Sequence, residues 1–433
     1  MKVLVVDSGG RGHAIAWQFK NDSGVKEVIC TPGNAGIARE VRCENARTDE
    51  EILELAKKEK VDLVFIGPES PLTRGIVNIL LEEKIPVVGP IKRASILEGS
   101  KAYTKLLCRE IGVPVAEFEV FEDPQKAKDY VAYVKYPVVV KADGLAQGKG
   151  SIVCLTNEEA FQAIDRLMIE KIFGDSGNTV VIEKRLYGAE ISFFVFTDGE
   201  SIVPMPVAQD YKRAYDNDEG SNTGGMGGYS PHRLEGEKLT RLVCDKVALP
   251  LIRGFTAKEG IPYKGILYMG LMLVEDTPNL LEANVRLGDP EAEVILPRLK
   301  TPLSDISLQI IKGVLSEKKV EWSSDYFLDV VAAQGRTRQM KDGRSKGWYP
   351  GYPGRYGKGY AISGIENVED NNCKIFFAGV NMLEKKGLVT DGGRVLHVVG
   401  KGKTLLEART VAYKNIELIQ FEGIRYRTDI GKE

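Results

Sequence analysis

Residues 138–154 read VVVKADGLAQGKGSIVC. The apolar run Val138–Lys141 predicts a strand, Gly144–Gly150 a loop, and Ser151–Leu155 a second strand. The loop has the look of a P-loop, yet it lacks the four-residue gap and the Ser/Thr, and a strand rather than a helix follows it. A strand, a glycine loop and a strand make a flexible hairpin that can fold over phosphates. Lys141, at the end of the first strand, then points an ammonium into the same space.

The architecture changes at this hairpin. Upstream, short apolar strands at Val3–Val6, Glu27–Cys30, Leu63–Ile66 and Val87–Val88 alternate with helices at Ala14–Phe19, Glu50–Lys58 and Gly75–Leu81. That alternation predicts a parallel sheet covered on both faces. A helix over Ser100–Ile111 leads into the hairpin. Downstream come a helix at Glu158–Met168 and strands at Val180–Lys184, Ile191–Phe196 and Ser201–Gln209. A long helix at Lys238–Lys258 and strands at Gly265–Val274 and Leu280–Arg286 follow. From about Tyr326 the tail has strands of its own and a closing helix, Leu405–Ile419. The fold class is α/β, and 433 residues accommodate about three domains.

Composition excludes several functions. With 43% apolar and 28% charged residues the chain is globular, and a formal net charge of −2 gives no bulk attraction to nucleic acid or an anionic membrane. No apolar run approaches the 18 or so residues of a bilayer span, and no secretory leader is legible at the N-terminus, so a soluble cytoplasmic protein is expected. The six cysteines form no CxxC pair and read as thiols. His13, His232 and His397 lie far apart in sequence, so a His/Cys zinc site is not expected and any metal should be a hard cation held by oxygen. The basic, aromatic stretch Gln334–Tyr360 reads as an irregular surface loop.

Three further segments carry chemistry. The turn Gly9-Gly10-Arg11 opens a helix whose free N–H groups suit an anion, but its spacing and the Thr31-Pro32-Gly33-Asn34-Ala35-Gly36 turn after the second strand argue against a nicotinamide cofactor. In Leu280–Arg286 the period of two puts Glu282, Asn284 and Arg286 on one face. A carboxylate and an amide oxygen suit Mg²⁺, with Arg286 beside them to clamp an anion. The run Gly288-Asp289-Pro290-Glu291 then predicts a turn into a helix with Pro at its first position. Finally, Asn222-Thr223-Gly224-Gly225-Met226-Gly227-Gly228 offers bare backbone to a ligand, just after Asp210 and Lys212.

Taken in order, GGR…HA at 9–14, PGNAG at 32–36, GPE at 67–69, LEGSKAYTK at 97–105, KADGLAQGKG at 141–150, NTGGMG at 222–227, R-x-GDPE at 286–291 and TDGGRVL at 390–396 resemble the phosphoribosylamine–glycine ligases of the ATP-grasp superfamily. The likeness runs through nearly the whole chain. It implies an N-terminal substrate domain (1–100), an ATP-grasp core (101–325) with a lid at about 117–190, and a C-terminal α+β domain (326–433). It implies ATP-dependent joining of glycine to 5-phosphoribosylamine through glycyl phosphate, by a monomer, with Mg²⁺ or Mn²⁺ and without nucleic acid or membrane. By position, Lys105, Lys141, Gly148, Lys149, Gly150, Glu183 and Glu190 should meet ATP, with Glu183 at the adenine hinge and Glu190 on the ribose. Glu282 and Asn284 should hold metal. Gly9, Gly10, Arg11, Gly33, Asn34, Lys212, Asn222, Thr223, Gly224, Gly225, Met226, Arg286 and Asp289 should contact substrate, with Arg286, Lys141 and Asp210 catalytic. Rival expectations are another ATP-grasp carboxylate–amine ligase and a nucleotide-binding regulator without turnover. Asp7 and Gly12 stand where the family usually has Gly and Glu, which would set a carboxylate against the sugar phosphate unless Asp7 pairs with Arg11.

Overall fold

The computed structural model describes residues 1–432 apart from 147–148, 316–319, 342–343 and 370. The strand Lys2–Asp7 lies at the centre of a five-stranded sheet, in the order Arg42–Cys43, Glu27–Pro32, Lys2–Asp7, Leu63–Ile66, Val87–Val88, with every pairing parallel. Alternate side chains sort by face: Leu4 and Val6 enter one apolar core, Val3 and Val5 another. The same two cores receive alternate residues of Ala189–Thr197, with Phe193 and Val195 in the first and Phe194 and Phe196 in the second. That strand is an inner member of an antiparallel sheet ordered Ile202–Pro204, Ala189–Thr197, Gly265–Val274, Thr277–Asn284. Because both cores are shared, the N-terminal and central sheets pack as one body.

A smaller antiparallel sheet, ordered Phe118–Phe121, Val180–Lys184, Val138–Ala142, Ser151–Cys154, keeps its own core of Val138, Val140, Ile164, Leu167, Val180 and Ile182. The C-terminal sheet runs Gln209–Asp210, Gly227–Ser230, Tyr326–Gln334, Arg394–Gly402, Cys373–Phe377, and the helix Leu405–Ile416 packs on it. Among the described residues no helix is long and apolar enough to cross a membrane.

Several expectations change. The helix expected over Lys238–Lys258 is two helices, Glu237–Val243 and Leu249–Glu259, joined by a wide turn at Cys244–Ala248. Pro250 has no N–H to give to the preceding turn, and the wider turn absorbs the loss. The helix expected over Gly75–Leu81 starts earlier, as Glu69–Arg74, and is interrupted at Gly75, whose φ of +109° no L side chain adopts readily, before Ile76–Glu82. The strand expected over Ser201–Gln209 is cut to Ile202–Pro204, and Gln209 joins the C-terminal sheet instead. Residues 337–349 are not an irregular loop but a hairpin, Thr337–Lys341 paired with Arg344–Tyr349. Arg336 and Arg338 stack over Trp348 at 4.5 and 5.4 Å, so these three side chains partner one another.

Candidate functional site

One cleft of about 1010 Å³ opens where the four sheets meet. Its floor is the strand Thr277–Asn284, in which Glu282 faces Gly270 and Asn284 faces Tyr268 across the register. Both side chains are half-buried and line the cleft. Arg286 lies just past the strand's end yet keeps to the same side. Its Nη2 donates to Glu98 Oε1 at 2.8 Å and its Nε to Glu69 Oε2 at 3.3 Å. Two carboxylates thus hold the guanidinium in place, a preorganised anion clamp.

The smaller sheet forms the opposite wall. Glu183 is buried between two lysines, accepting from Lys105 Nζ at 3.0 Å and pairing with Lys141 Nζ at 2.9 Å. Burial alone would raise its carboxyl, but the two ammonium groups outweigh burial and hold it below the usual range. Lys105 also donates to Leu280 O and Lys141 to Leu281 O, so both ammonium groups abut the strand that carries Glu282. Glu183 therefore presents its side chain to lysines rather than outward, and it is Lys184, Arg185 and Leu186 that continue along the cleft. Glu190 accepts from Lys212 Nζ at 2.6 Å, and the same ammonium stands 3.5 Å from Glu282 Oε1. Burial opposes ionisation of Glu282, yet Lys212, Lys141 and Lys101 bring its carboxyl down to about 2. It is a fixed anion ringed by cations. A carboxylate and an amide oxygen side by side on a strand, both open to the cleft, form a hard donor pair that fits a divalent cation keeping water and phosphate as its remaining ligands.

Asp210 is on the third side. Among the described residues its Oδ1 has no partner, and burial, then Glu291, push its carboxyl well up. Glu291 accepts from Ser192 Oγ at 2.8 Å. Asn222, Thr223 and Gly224 line the cleft, and Gly224 N donates to the hydroxyl of Tyr352. Gly225 has φ +113°, and a Cβ there would meet Pro290 Cδ at 2.2 Å, so glycine is required where two turns touch. Lys149, which lines the cleft, reaches across to Pro353 O at 3.1 Å and so meets the C-terminal segment.

The expected residues divide clearly. Arg11, Lys105, Lys141, Lys149, Gly150, Glu183, Glu190, Asp210, Lys212, Asn222, Thr223, Gly224, Glu282, Asn284, Arg286 and Asp289 are brought together around the cleft. Gly9, Gly10, Gly33, Asn34, Gly225 and Met226 do not line it, and Gly148 lies outside the described residues. Asn34 braces the frame: its Nδ2 donates to Ser8 O, Phe377 O and Ala378 O, and its Oδ1 accepts from Gly36 N and Ile37 N. Asp289 does not cap the next helix. Pro290 takes the cap position before the short helix Glu291–Ile295, and Asp289 pairs with Arg394 Nη1 at 3.0 Å. Asp7 turns to Arg11 at 2.9 Å and to the N–H groups of Ser8 and Gly9, which removes the expected clash with an anion.

Glu69, Glu98 and Arg394 carry no expected role, although all three sit in the motifs GPE, LEGSKAYTK and TDGGRVL. Their signal was present, but what each grips is decided 170 to 220 residues away in the chain.

Residues 1–98 match the sequence profile described as "Phosphoribosylglycinamide synthetase, N domain", residues 99–292 its "ATP-grasp (A) domain" and residues 349–433 its "C domain". The chain is 41% identical over 433 residues to phosphoribosylamine–glycine ligase of Caldanaerobacter subterraneus subsp. tengcongensis, covering 100% of this chain and 99% of that one. It is 42% identical over 477 residues to the ligase of the same name from Archaeoglobus fulgidus, covering 100% and 99%. The crystal structure of phosphoribosylamine–glycine ligase from Thermotoga maritima aligns with a TM-score of 0.83 at 36% identity, covering 99% of this chain and 100% of that one. Biotin carboxylase from Campylobacter jejuni aligns with a TM-score of 0.71 at 15% identity over 98% and 92%, a likeness of fold alone.

Proposed function

The chain belongs to the phosphoribosylglycinamide synthetase family, and from that premise we infer how its cleft works. It is an ATP-dependent ligase that joins glycine to 5-phosphoribosylamine, giving glycinamide ribonucleotide, ADP and phosphate, a step of purine biosynthesis. It uses ATP with a divalent metal ion. In our reading that ion is Mg²⁺ or Mn²⁺, the enzyme is a cytoplasmic monomer, and the domains are 1–100, 101–325 with the lid at 117–190, and 326–433.

A carboxylate is a poor electrophile. Glycine's carboxylate oxygen therefore attacks the γ-phosphorus of ATP, the bond to the bridging oxygen breaks, and ADP departs. The amine of phosphoribosylamine then adds to the carbonyl of glycyl phosphate, phosphate leaves with the acyl–oxygen electron pair, and the nitrogen gives up a proton. No protein nucleophile is needed, so binding, charge and exclusion of water do the work. Lys105 and Lys141, already desolvated around Glu183, meet the phosphates with Lys149 and Gly150 above them. Glu190 takes the ribose. Glu282 and Asn284 would hold the divalent ion, which when bound supplies neutralisation of phosphate oxygens. Arg286 clamps the reacting carboxylate, Lys212 neutralises the acyl phosphate, and Arg11 and Asn222–Gly224 face the amine substrate. Asp210, raised by burial, is the group that takes the amine's proton.

The observation that carries this reading is the placement of the Lys105–Glu183–Lys141 cluster directly against the strand bearing Glu282 and Asn284. The test is ADP release with each substrate omitted in turn. Release should require glycine, and glycinamide ribonucleotide should form only when the amine is present as well. Release indifferent to glycine would point to another ligase or a bare ATPase.

A further inference from the structure

Beside the cleft, sharing Asp289 with its lining, lies a cluster whose fully buried members Glu293, Asp329 and His397 the reaction does not use. His397, on the strand Arg394–Gly402, is fully buried, and its Nδ1 lies 2.7 Å from Asp329 Oδ2 on the neighbouring strand Tyr326–Gln334. Asp329 accepts there, so Nδ1 carries a hydrogen and Nε2 points away from it. Among the described residues Nε2 has no hydrogen-bond partner. It faces Asp289 Oδ1 at 3.6 Å and Glu293 Oε1 at 3.8 Å; among the described residues neither oxygen accepts a hydrogen bond, although Asp289 Oδ1 is ion-paired with Arg394 Nη1 at 3.0 Å. Glu293 is fully buried, with both of its oxygens unpaired. The three donor atoms lie within 4.8 Å of one another. A Cβ built on Gly10 would come within 2.5 Å of His397 Nε2 and 2.6 Å of Glu293 Oε1, so any side chain at position 10 would occupy the same point.

Leaving buried polar atoms without hydrogen bonds is costly, and one bound group would satisfy them together. We propose that His397 Nε2, Glu293 and Asp289 bind a divalent transition-metal ion of the zinc, manganese or cobalt kind, with Asp329 orienting the imidazole from behind. A carboxylate on the far nitrogen is the usual support for a histidine metal ligand. One nitrogen with two carboxylate oxygens is a borderline donor set that favours these ions over Mg²⁺. Ligands about 2.0–2.1 Å from zinc at tetrahedral angles stand roughly 3.3 Å apart, so the two separations from His397 close by a few tenths of an ångström. Charge agrees as well. With Asp289, Glu293 and Asp329 ionised, His397 neutral and Arg394 positive, a divalent ion would bring the cluster to neutrality. The four side chains come from three segments, and the helix Gly10–Lys20 begins on the same point. The ion would therefore tie the end of the ATP-grasp core to the C-terminal sheet, beside the start of the N-terminal helix.

The test uses the full chain, stripped with chelator, reloaded with Zn²⁺ or Co²⁺ in excess Mg²⁺ without nucleotide, and freed of loose metal by gel filtration. Wild type should retain one equivalent, show a ligand-field spectrum with Co²⁺, and melt higher than the stripped form. Glu293→Gln, nearly isosteric, and His397→Gln should both lose the retained metal and the metal-dependent rise in Tm, while Glu282→Gln keeps them. Far-UV circular dichroism checks that each variant is folded. The site is overturned if stripped wild type neither retains metal nor changes Tm on reloading, which would make the cluster a set of side chains sharing protons. It is equally overturned if folded Glu293→Gln and His397→Gln retain as much metal as wild type.

Discussion

Glu282 and Asp7 show how far single residues can be read. Glu282 is ionised because Lys212, Lys141 and Lys101 surround it, and it is half-open to the cleft, so truncation leaves no buried hole. Glu282→Ala should lower kcat by about 10²–10³-fold, the order found for removing a group that stabilises transferring charge, with little change in Tm. Survival of both activity and the metal dependence of ATP binding would refute the ligand assignment. Asp7 is bound to its neighbour across the turn. A Cβ on Gly12 would lie 2.4 Å from Asp7 Cβ, so a side chain at 12 and the carboxylate at 7 exclude each other. Gly12→Ala alone should cost about 1–3 kcal/mol by overpacking. Combined with Asp7→Gly it should cost less than the sum of the single changes, a coupling of at least about 0.5 kcal/mol in urea unfolding. Strict additivity would mean the two positions are independent.

At the scale of elements, the edge strand Cys373–Phe377 is fastened to the N-terminal domain through Glu40. Its Oε1 lies 3.1 Å from His13 Nε2 and accepts from Lys374 Nζ at 2.5 Å. Phe377 N donates to His13 Nδ1 at 2.9 Å, so in the neutral ring the hydrogen is on Nε2 and is given to Glu40. Burial would raise the Glu40 carboxyl, but His13 and Lys374 bring it from 4.5 down to about 2. A carboxyl depressed on folding stabilises the native state above its unfolded pKa, and that stability fades as pH falls from about 4.5 toward 2. Glu40→Gln should therefore lose about 1–3 kcal/mol at pH 7 and a shrinking amount as the solution is acidified below pH 4. Parallel urea curves at pH 7 and pH 3 check this. An equal difference at both would show that the shift does not reach stability.

Across the whole molecule, four sheets deliver charge to one cleft, and no sheet supplies a complete site. The N-terminal domain gives Arg11 and Glu69, the small sheet Lys141 and Glu183, the central sheet Glu190 and Glu282, and the C-terminal part Arg394 and Tyr352. The requirement of ADP release for glycine tests that assembly as a unit, since Lys141 and Glu183 belong to one sheet and the Glu282–Asn284 pair to another.

The parallel sheet, the 138–154 hairpin and the shared face of Glu282, Asn284 and Arg286 were legible in the sequence, because strand period, apolar runs and glycine turns are local properties. The motif order carried the family for the same reason. Asn34 was readable as a turn residue but not as a brace, because its carbonyl partners Phe377 and Ala378 lie more than 340 positions away. The hairpin within 334–360 was hidden by a basic and aromatic composition that suggests a solvated loop, whereas Arg338 stacks on Trp348 across the hairpin and Arg336 joins from just before it. Glu98 and Arg286, or His397 and Glu293, have no local signature as pairs. Only the packing of the sheets against one another decides which buried charge meets which, since a desolvated charge takes the partner that folding brings within reach.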